Sequence, residues 1–527
     1  MAAHATSSER CLLPPTTGPY DLSVVVAFPN TYHVGMSSLS LQAVYGLVAG
    51  IEGVRVERAF VPDDATGPGA KGDARWASLE SGTPLRDFDV VALSVSFELD
   101  YLNVLALLDR GGISLLTRER TESHPVVIAG GAAITANPAP LADFVDACLI
   151  GEAEEALPQV IDVLRSARGR AEALPALAAM DGMWVPSVNR EGPVRRLAVA
   201  DLARFETASV FLTPHTEFGD CFLVEVGRGC GRACRFCLAS HIYRPLRQRS
   251  VESLVATAAR GLRHTDRIGL LGASLSDYRD IDQLATELAD RGARLSTSSL
   301  RIESVSQPLL RALSAGGQKQ ITLAPEAASA RLRELIRKGT TDQQLFSVVA
   351  GALAAGLSAV KLYFMIGLPT ETDEEAREIA GLVARLEQAF PEARFTVSVA
   401  PFVPKAHTPF QWAPMAPQAM LEARTRDVKA ALQRHARASV SSESPRWAVV
   451  QGILSRGGAE LGPVLLHCYR NGGTTGAFRQ GLRAHGLEPD AYLAPDQHAD
   501  APLPWDFIAG AEDKATLWRQ WQQVTGR

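Results

Sequence analysis

Residues 224–245 have the sequence VEVGRGCGRACRFCLASHIYRP, which places Cys230, Cys234 and Cys237 within eight positions. The triplet directly follows CFLVEVGRG (221–229), an apolar and β-branched run that predicts a buried strand. Three thiolates on one short loop can bind three irons of a cubane cluster, and the fourth iron is then left without a protein ligand. The motif therefore predicts a [4Fe–4S] cluster with an open iron, held by these three cysteines as metal ligands and catalytic residues.

A structural zinc site is the alternative for the same loop. Zinc needs a fourth Cys or His ligand, and His241 lies four residues after Cys237. The other four cysteines are scattered at positions 11, 148, 221 and 468, which is not the spacing of a disulfide framework. Clustered thiols in a reducing compartment indicate a metal or catalytic site.

Strand candidates continue at regular intervals beyond the triplet, and helical patterns separate them. Repeated β/α units predict a partial or full (β/α) barrel over residues 216–412, with functional side chains at the carboxyl ends of the strands. After CFLVEVGRG, the strand candidates are RIGLLGAS (267–274), RLSTSSL (294–300), QITLAPE (320–326), AVKLYFMIG (359–367) and FTVSVAPF (395–402).

A second alternating series precedes the barrel and predicts a doubly wound, Rossmann-like α/β domain over residues 21–165. No G-x-G-x-x-G follows its first strand, so the sequence gives little support for dinucleotide binding. In such a sheet, ligands bind at the carboxyl ends of the strands. The strand candidates are 22–28, 55–62, 88–96 and 124–132, with a further one at the start of 145–164, and the glycines and serines expected at the crevice are Gly35, Ser94, Ser96, Gly130, Gly131 and Gly151.

The remaining segments complete a multidomain α/β chain of 527 residues, too long for a single core. We expect a flexible tail over 1–20, a linker over 166–215 and a mostly helical C-terminal domain over 413–527. The net charge of −5 gives no general attraction to nucleic acid. No apolar run is long enough to span a bilayer and no secretion signal is evident, so the expected location is the cytoplasm.

Two further features have two interpretations each. The three arginines of RPLRQRS (244–250) could line a channel for an anionic substrate or form the solvated start of a helix. Four tryptophans of the C-terminal region could cover the barrel mouth or pack in a core, which is their more common use. They are Trp447, Trp505, Trp518 and Trp521.

The cysteine loop and three later motifs resemble the radical S-adenosylmethionine superfamily. These motifs are LLGASLSD (270–277), TLAPEAASARLRELIRKG (322–339) and MIGLPTET (365–372). The resemblance implies S-adenosylmethionine bound at the open iron, reductive cleavage of its S–C5′ bond, and a 5′-deoxyadenosyl radical that abstracts hydrogen. It assigns cofactor contacts to Phe236, Ser274, Ser276, Arg301, Glu326, Gly367 and Pro369.

Each of these assignments has a structural alternative. LLGASLSD departs from the usual Gly-Gly-Glu, which weakens the assignment of its serines to the methionyl amino group. Glu326 could cap the following helix, and Arg301 could pair with an acidic surface residue. Gly367 and Pro369 could simply mark a turn at a strand end.

The N-terminal domain resembles the cobalamin-binding domain that precedes many radical S-adenosylmethionine barrels, in a subgroup with a C-terminal helical extension. PNTYHVGMS (29–37), IAGGAAITANPAPLADFVD (128–146) and the closing PWDFIAG (504–510) carry this resemblance, which covers roughly residues 22–510. The usual D-x-H-x-x-G motif is absent, because His33 precedes Gly35 by two positions. A domain that no longer binds cofactor is the alternative. The implied cobalamin contacts are Gly35, Ser94, Ser96, Gly130, Gly131 and Glu152.

Together the resemblances imply a cobalamin-dependent methyltransferase that acts on an unactivated carbon. One S-adenosylmethionine would methylate cobalamin, and a second, cleaved at the cluster, would generate the substrate radical. One alternative is radical chemistry without methyl transfer, such as a rearrangement or a tRNA or peptide modification. Another is a redox-sensing iron–sulfur protein. The substrate is not identified by any motif, and a low-potential donor such as flavodoxin or ferredoxin is the expected electron partner.

Overall fold

The computed structural model describes residues 8–14, 18–63, 75–494, 498–510 and 512–526. Residues 1–7 and 15–17 of the predicted tail lie outside this part. The described tail residues differ from the expectation of flexibility, because Arg10–Cys11 pairs antiparallel with Phe211–Leu212. Glu9 also binds the buried guanidinium of Arg58 at 2.5 Å. This segment is therefore anchored to the N-terminal domain.

The first domain is built on a six-stranded sheet in the order β2-β1-β3-β4-β5-β6. The first five strands are parallel and β6 is antiparallel to β5. All seven residues of β1 are buried, as its apolar, β-branched sequence predicts for a strand covered on both faces. The strands are β1 (Leu22–Phe28), β2 (Val54–Phe60), β3 (Val90–Ser94), β4 (Val126–Gly130), β5 (Ala147–Leu149) and β6 (Met183–Trp184).

Helices cover both faces of this sheet, and two separate apolar clusters form on its two sides. The prediction of a doubly wound domain is confirmed. The sheet extends further than the predicted boundary at 165, since β6 lies within the segment expected to be a linker. The helices are α1 (Tyr32–Met36), α2 (Leu39–Ala49), α3 (Tyr101–Arg110), α4 (Ala132–Ala136), α5 (Ala156–Ser166) and α6 (Arg170–Ala178).

The second domain is a partial barrel of seven parallel strands. The strands form a three-stranded and a four-stranded sheet, and a parallel bridge between Leu300 and Leu323 joins the two. The partial form of the predicted barrel is therefore the observed one. The strands are β7 (Phe222–Glu225), β8 (Arg267–Leu271), β9 (Arg294–Ser296), β10 (Gln320–Glu326), β11 (Ala359–Ile366), β12 (Arg394–Pro401) and β13 (Ser439–Ser442).

Eight helices accompany these strands within the described residues. The last of them precedes β13, which pairs in parallel with β12, so the barrel extends to about residue 442 and not only to the predicted 412. A hydrophobic cluster fills the layer between strands and helices. The helices are α7 (Leu238–Ile242), α8 (Val251–Gly261), α9 (Ile281–Asp290), α10 (Gln307–Ala315), α11 (Ala330–Leu335), α12 (Asp342–Ala354), α13 (Asp373–Ala389) and α14 (Gln418–His435).

The C-terminal region is helical, as predicted, but it does not form a separate core. Its first helices share an apolar cluster with β3, β4 and α3 of the N-terminal domain. In the part of the chain that the structure describes, no helix has the length and apolar character needed to cross a membrane. The helices are α15 (Pro445–Arg456), α16 (Gly462–Arg470), α17 (Thr475–Ala484), α18 (Pro489–Leu493) and α19 (Lys514–Thr525).

The two α/β domains face each other through the carboxyl ends of their strands. Lys405, in the loop after β12, binds Glu98, in the loop after β3, with its ammonium 2.7 Å from each carboxylate oxygen. Helix α4, which starts after Gly131, packs against α7, which starts after Cys237. The crevice of the first domain therefore opens onto the mouth of the second.

Candidate functional site

The cysteine loop connects β7 to α7 at the mouth of the barrel. Gly229 adopts a φ of +81°, and a Cβ there would lie 2.6 Å from the carbonyl oxygen of Tyr243, so only glycine fits this turn. Cys230 and Cys234 are buried and Cys237 is half-buried. The amide of Cys237 donates to the carbonyl oxygen of Cys234, which closes the loop into α7.

The donor set of this loop fits a cubane cluster better than a single ion. Within the described residues, no three His, Cys, Asp or Glu side chains are arranged so that they could hold one metal ion together. Each iron of a cubane takes one thiolate, so three cysteine sulfurs stand farther apart around a cluster than around one ion. Three thiols on one loop therefore suit three irons.

His241, the fourth ligand of the zinc alternative, is already engaged on both ring nitrogens. Its Nδ1 lies 2.5 Å from the carboxylate of Glu512, and its Nε2 lies 3.3 Å from the carbonyl oxygen of Cys234. A zinc ligand needs one free ring nitrogen. The imidazole instead links the cysteine loop to the segment that precedes α19.

Charged side chains form a continuous network from the cysteine loop to the end of β10. Burial raises the pKa of the Cys234 thiol, and the positive charges of Lys338 and Arg301 offset part of this effect. A guanidinium nitrogen of Arg301 donates to the carbonyl oxygen of Lys338, whose ammonium lies 3.3 Å from Glu326. Burial also raises the pKa of Glu326. The structure thus places Cys234, Arg301 and Glu326 in one network.

Asp277 is an acidic residue of this network that the sequence motifs did not identify. Ser274 donates its hydroxyl to Asp277, while Arg232 and Arg301 form ion pairs with the same carboxylate. Burial would raise the pKa of Asp277, but the hydrogen bonds from Arg232 and Ser274 outweigh it and lower the pKa to about 2. A carboxylate therefore stands beside the position where the superfamily carries Glu and this chain has Ser274.

Two other polar groups complete this side of the mouth. The hydroxyl of Ser276 accepts from the backbone amide of Arg301 at 3.0 Å, so this serine positions the arginine. Glu303 forms an ion pair with Arg301 at 3.2 Å, yet its Oε2 is buried without a hydrogen bond. That oxygen faces the Arg301 guanidinium, and the other oxygen of Glu303 accepts from the hydroxyl of Thr340, so the chain itself holds this carboxylate in place.

A buried carboxylate, that of Glu371, stabilises the turn after β11. Gly367 has a φ of +82°, and its amide donates to Glu371 at 2.5 Å. Glu371 also accepts from Arg424 at 2.7 Å. Pro369 is buried in the same turn, and Thr370 adopts a left-handed φ of +63°. Such conformations cluster at functional sites, where the surrounding contacts maintain them.

Aromatic side chains close one side of the mouth. Phe236 packs, half-buried, against a cluster that contains Phe410, Trp412 and Trp521. The rings of Trp412 and Trp518 meet edge to face at 5.0 Å. Two of the four C-terminal tryptophans therefore lie at the mouth, whereas Trp447 and Trp505 pack in the cluster shared with the N-terminal domain.

The N-terminal crevice has both exposed and buried residues at its strand ends. Ser94 is buried, while Ser96 is exposed and the neighbouring Phe97 ring is 41% exposed. A Cβ on Gly130 would have ordinary contacts, the nearest at 3.8 Å. A Cβ on Gly131 would lie 2.4 Å from the carbonyl oxygen of Val95, so this glycine is required by the chain's own packing.

Three residues assigned to cobalamin or its crevice have other roles in the structure. A Cβ on Gly35 would lie 2.5 Å from the Phe60 ring, and a Cβ on Gly151 would lie 2.2 Å from the carbonyl oxygen of Leu197. These glycines permit close packing inside the protein. Glu152 is also committed elsewhere, because arginines of the barrel occupy both of its oxygens.

Glu152 is the centre of an ion network between the domains. It lies 3.1 Å from Arg228 and 2.6 Å from Arg247, and it accepts from the amide of Val199 at 2.9 Å. Arg228 and Arg247 lie on two short antiparallel strands, Gly227–Arg228 and Arg247–Gln248, which flank the cysteine loop and α7. This network fixes the loop against the N-terminal domain.

The three arginines of RPLRQRS are all paired with carboxylates of the chain. Arg244 binds Glu512, Arg247 binds Glu152, and Arg249 binds Glu225. Neither sequence interpretation, an anionic channel or a solvated helix start, is correct. Arg244 and Arg247 instead connect the barrel to the C-terminal and N-terminal regions, and Arg249 forms its ion pair within the barrel.

Two family models match this chain in the order of its domains. The model described as "Radical SAM proteins, N-terminal" matches residues 40–186, and the model described as "Radical SAM superfamily" matches residues 224–383. The first range ends just after β6, and the second begins within β7, directly before the cysteine loop.

Relatives and solved structures agree with these matches. The chain is 29% identical over 395 residues to "Uncharacterized protein MJ0966" of Methanocaldococcus jannaschii, covering 74% of this chain and 79% of the relative. It is 25% identical over 332 residues to "Uncharacterized methyltransferase PH0819" of Pyrococcus horikoshii, covering 59% and 69%. The fold is similar to that of the radical S-adenosylmethionine methyltransferase TsrM from Kitasatospora setae, solved with cobalamin and a [4Fe–4S] cluster. That similarity has a TM-score of 0.56 at 13% identity and covers 88% of this chain and 99% of TsrM. Because both family models match where the structure has its two α/β domains, this chain belongs to the radical S-adenosylmethionine superfamily.

Proposed function

We propose that this chain is a cobalamin-dependent enzyme that methylates an unactivated carbon through radical chemistry. The observation that carries the proposal is the opposition of the two domains. The Gly130–Gly131 turn leads into α4, which packs against the helix that follows the last cysteine. A cofactor in the N-terminal crevice would therefore face a radical generated at the barrel mouth.

The barrel residues divide into those that hold the cluster and those that hold S-adenosylmethionine. When bound by the three cysteines, the cluster supplies the electron that cleaves the S–C5′ bond. Asp277 can accept a hydrogen bond from the methionyl ammonium, while Arg301 pairs with the methionyl carboxylate. Glu326, which Lys338 holds in place, can accept from the ribose hydroxyls. The chain thus orients the sulfonium against the open iron.

The N-terminal crevice supplies a surface for a flat, partly apolar cofactor. The exposed ring of Phe97 and the exposed Ser96 follow one strand, and Gly130, which has no side chain, ends the neighbouring strand. Cobalamin bound there would supply a methyl group to the substrate. The TsrM structure contains cobalamin, and the relative from Pyrococcus horikoshii is described as a methyltransferase, which supports this choice.

The proposal is tested by anaerobic reconstitution of the full chain with iron and sulfide, with and without hydroxocobalamin. We expect bound cobalamin to give a corrin absorption spectrum that survives desalting. Incubation with S-adenosylmethionine and dithionite should then give both 5′-deoxyadenosine and S-adenosylhomocysteine by mass spectrometry. A low-potential flavodoxin or ferredoxin should replace dithionite. Formation of 5′-deoxyadenosine without retained cobalamin or S-adenosylhomocysteine would contradict methyl transfer.

Formation of 5′-deoxyadenosine without retained cobalamin would favour the second candidate function, radical chemistry without methyl transfer. One observation supports this candidate. Gly35, Gly131 and Gly151 are all explained by contacts within the chain, and Glu152 by an ion network. A domain that has lost its cofactor could retain all four residues for these reasons. The spectrum after desalting separates the two candidates directly.

Replacing Asp277 by asparagine should weaken binding of S-adenosylmethionine to the reconstituted protein. The variant keeps the shape of the side chain but removes the charge that faces the ammonium and also balances Arg232 and Arg301. A hydrogen bond to a charged group contributes about 1.5–3 kcal/mol, so we expect about a 10- to 100-fold rise in Kd. Equilibrium dialysis with labelled S-adenosylmethionine measures it.

Asp280→Asn is the matched control for this prediction. Asp280 lies three residues later, and among the described residues its carboxylate forms an ion pair with the exposed Arg279 alone, at 3.2 Å. Its loss should leave the Kd unchanged. Equal affinities for the Asp277 and Asp280 variants would show that Asp277 does not bind the methionyl group.

A further inference from the structure

The inner face of the barrel is polar and open along β10–β13. On β11, alternate residues point outward into the core under the helices, and the others, Lys361, Tyr363 and Met365, point inward. Barrel interiors of this class are normally filled by bulky apolar side chains. Here the inward Tyr363 is 37% exposed, so the interior is not packed shut.

The strand register surrounds the inward residues of β11 with hydroxyl groups. Lys361 is paired with Thr322 on one side and Thr396 on the other. The hydroxyl of Thr396 lies 3.0 Å from that of Ser439 on β13. One layer nearer the mouth, the register places Ser398 beside Tyr363, and Ser441 lies beyond Ser398.

Lys361 is a cation in this interior without an anion of the chain to balance it. Its ammonium lies 5.0 Å from the centre of the Tyr363 ring, and no acidic side chain of the described residues pairs with it. Three other lysines are each paired with a carboxylate, Lys338 with Glu326, Lys405 with Glu98 and Lys514 with Asp506. A half-buried lysine whose neighbours on both adjacent strands carry hydroxyl groups is suited to binding an oxyanion.

We propose that the substrate carries an anionic oxygen group, a phosphate or a carboxylate, which binds to Lys361 inside the barrel. The inference rests on the proposed function, since it takes the barrel interior as the substrate chamber. Met365 and Lys361 share one face of β11 four residues apart, which is about 13 Å at the rise of a β-strand. The substrate is therefore an elongated molecule whose reacting carbon lies at the mouth and whose anionic end lies near the start of β11.

The test uses the full chain, reconstituted with its cluster, and two probes, inorganic phosphate and acetate. Each anion is titrated against sodium chloride at constant ionic strength, and the melting temperature is recorded for the unmodified chain and for Lys361→Met. A ligand that binds only the folded state raises Tm, by at least about 1 °C at ten times its Kd. We expect one anion or both to raise Tm of the unmodified chain and not that of Lys361→Met.

Two further variants make the result specific. Lys361→Arg keeps the charge and should keep the shift. Lys319→Met removes an exposed lysine from the loop just before β10 and should respond as the unmodified chain does. Whether phosphate, acetate or both raise Tm identifies the chemistry of the anionic end of the substrate. Identical responses of all four proteins to both probes would overturn the proposal.

The outcome is separable from that of the proposed function. Formation of 5′-deoxyadenosine by the unmodified chain tests the radical chemistry without any anion probe. If 5′-deoxyadenosine forms and the anion shift is absent, only the substrate inference fails. If the anion shift depends on Lys361 and no 5′-deoxyadenosine forms, the anion site stands and the proposed reaction fails.

Discussion

Replacing Cys234 by alanine is expected to abolish the formation of 5′-deoxyadenosine from S-adenosylmethionine and dithionite. Cys234 is buried at the mouth, and its loss would remove one of three thiolate ligands from a cluster that has no protein ligand on its fourth iron. The rate of 5′-deoxyadenosine formation should fall by more than the roughly 10- to 100-fold seen when a residue that only supports a metal ligand is removed. Iron and sulfide content after reconstitution, together with mass spectrometry of the product, measures the effect.

Cys148→Ala is the matched control for this experiment. Cys148 is a buried cysteine in β5 of the N-terminal sheet, and its burial holds the pKa of its thiol well above the ordinary range. Its replacement should leave iron content and 5′-deoxyadenosine formation near those of the unmodified chain. If the Cys234 variant retained full iron and activity, the loop would not be the cluster site.

Replacing Glu152 by alanine is expected to destabilise the contact between the N-terminal domain and the barrel strongly. The Glu152 carboxylate is 4% exposed and is the only carboxylate paired with Arg247 within the described residues. Burial would raise the pKa of Glu152, but Arg247 and Arg228 outweigh it and lower the pKa, so the group is charged at neutral pH. Removing one partner of a buried pair costs about 3–5 kcal/mol, because the other charge is left uncompensated.

Glu155→Ala provides a comparison only three residues away. Glu155 pairs with Arg204 at 2.5 Å, but both side chains are largely exposed, and such pairs contribute at most about 1 kcal/mol. Guanidinium unfolding followed by tryptophan fluorescence should show a much larger fall in midpoint for the Glu152 variant. Equal midpoints for the two variants would mean that the network between the domains does not stabilise the protein.

The elements with strong local patterns were predicted well from the sequence. The fully apolar run of β1 and the alternating pattern of β10 gave strands with the predicted bounds, 22–28 and 320–326. The extent of the domains was harder to predict. Strands β6 and β13 are short, and each is a strand only because a neighbouring edge is available to pair with it.

The candidate site was predicted only where its residues lie in one local motif. The cysteine triplet is such a motif, since three thiolates on one loop have a chemical meaning without any other part of the chain. Asp277 and Lys338 gave no such signal, because each becomes significant only beside Arg301, which reaches them from the segment after β9. Proximity between distant segments is decided by the topology of the barrel.

Several residues assigned to the cofactor crevice also have partners within the chain, which the sequence did not indicate, and their assignment to cobalamin stays a prediction. Gly35 and Gly151 were expected beside a cofactor, and the structure places other parts of the chain against them. Glu152 was expected to meet cobalamin, and the structure places it against Arg247. A glycine in a sequence indicates that another group approaches the backbone closely, and a carboxylate indicates that a negative charge is needed. Neither identifies the group that it meets.

The sequence by itself determined the two α/β domains, the cysteine loop and the superfamily, because strand periodicity and ligand spacing are properties of neighbouring residues. Only the tertiary structure decided that the two strand-end surfaces oppose each other, that the arginines after the loop are paired, and that Lys361 has no anionic partner among the described residues. These facts depend on which segments meet in space, and electrostatic and packing interactions act at distances of a few ångströms whatever the separation along the chain.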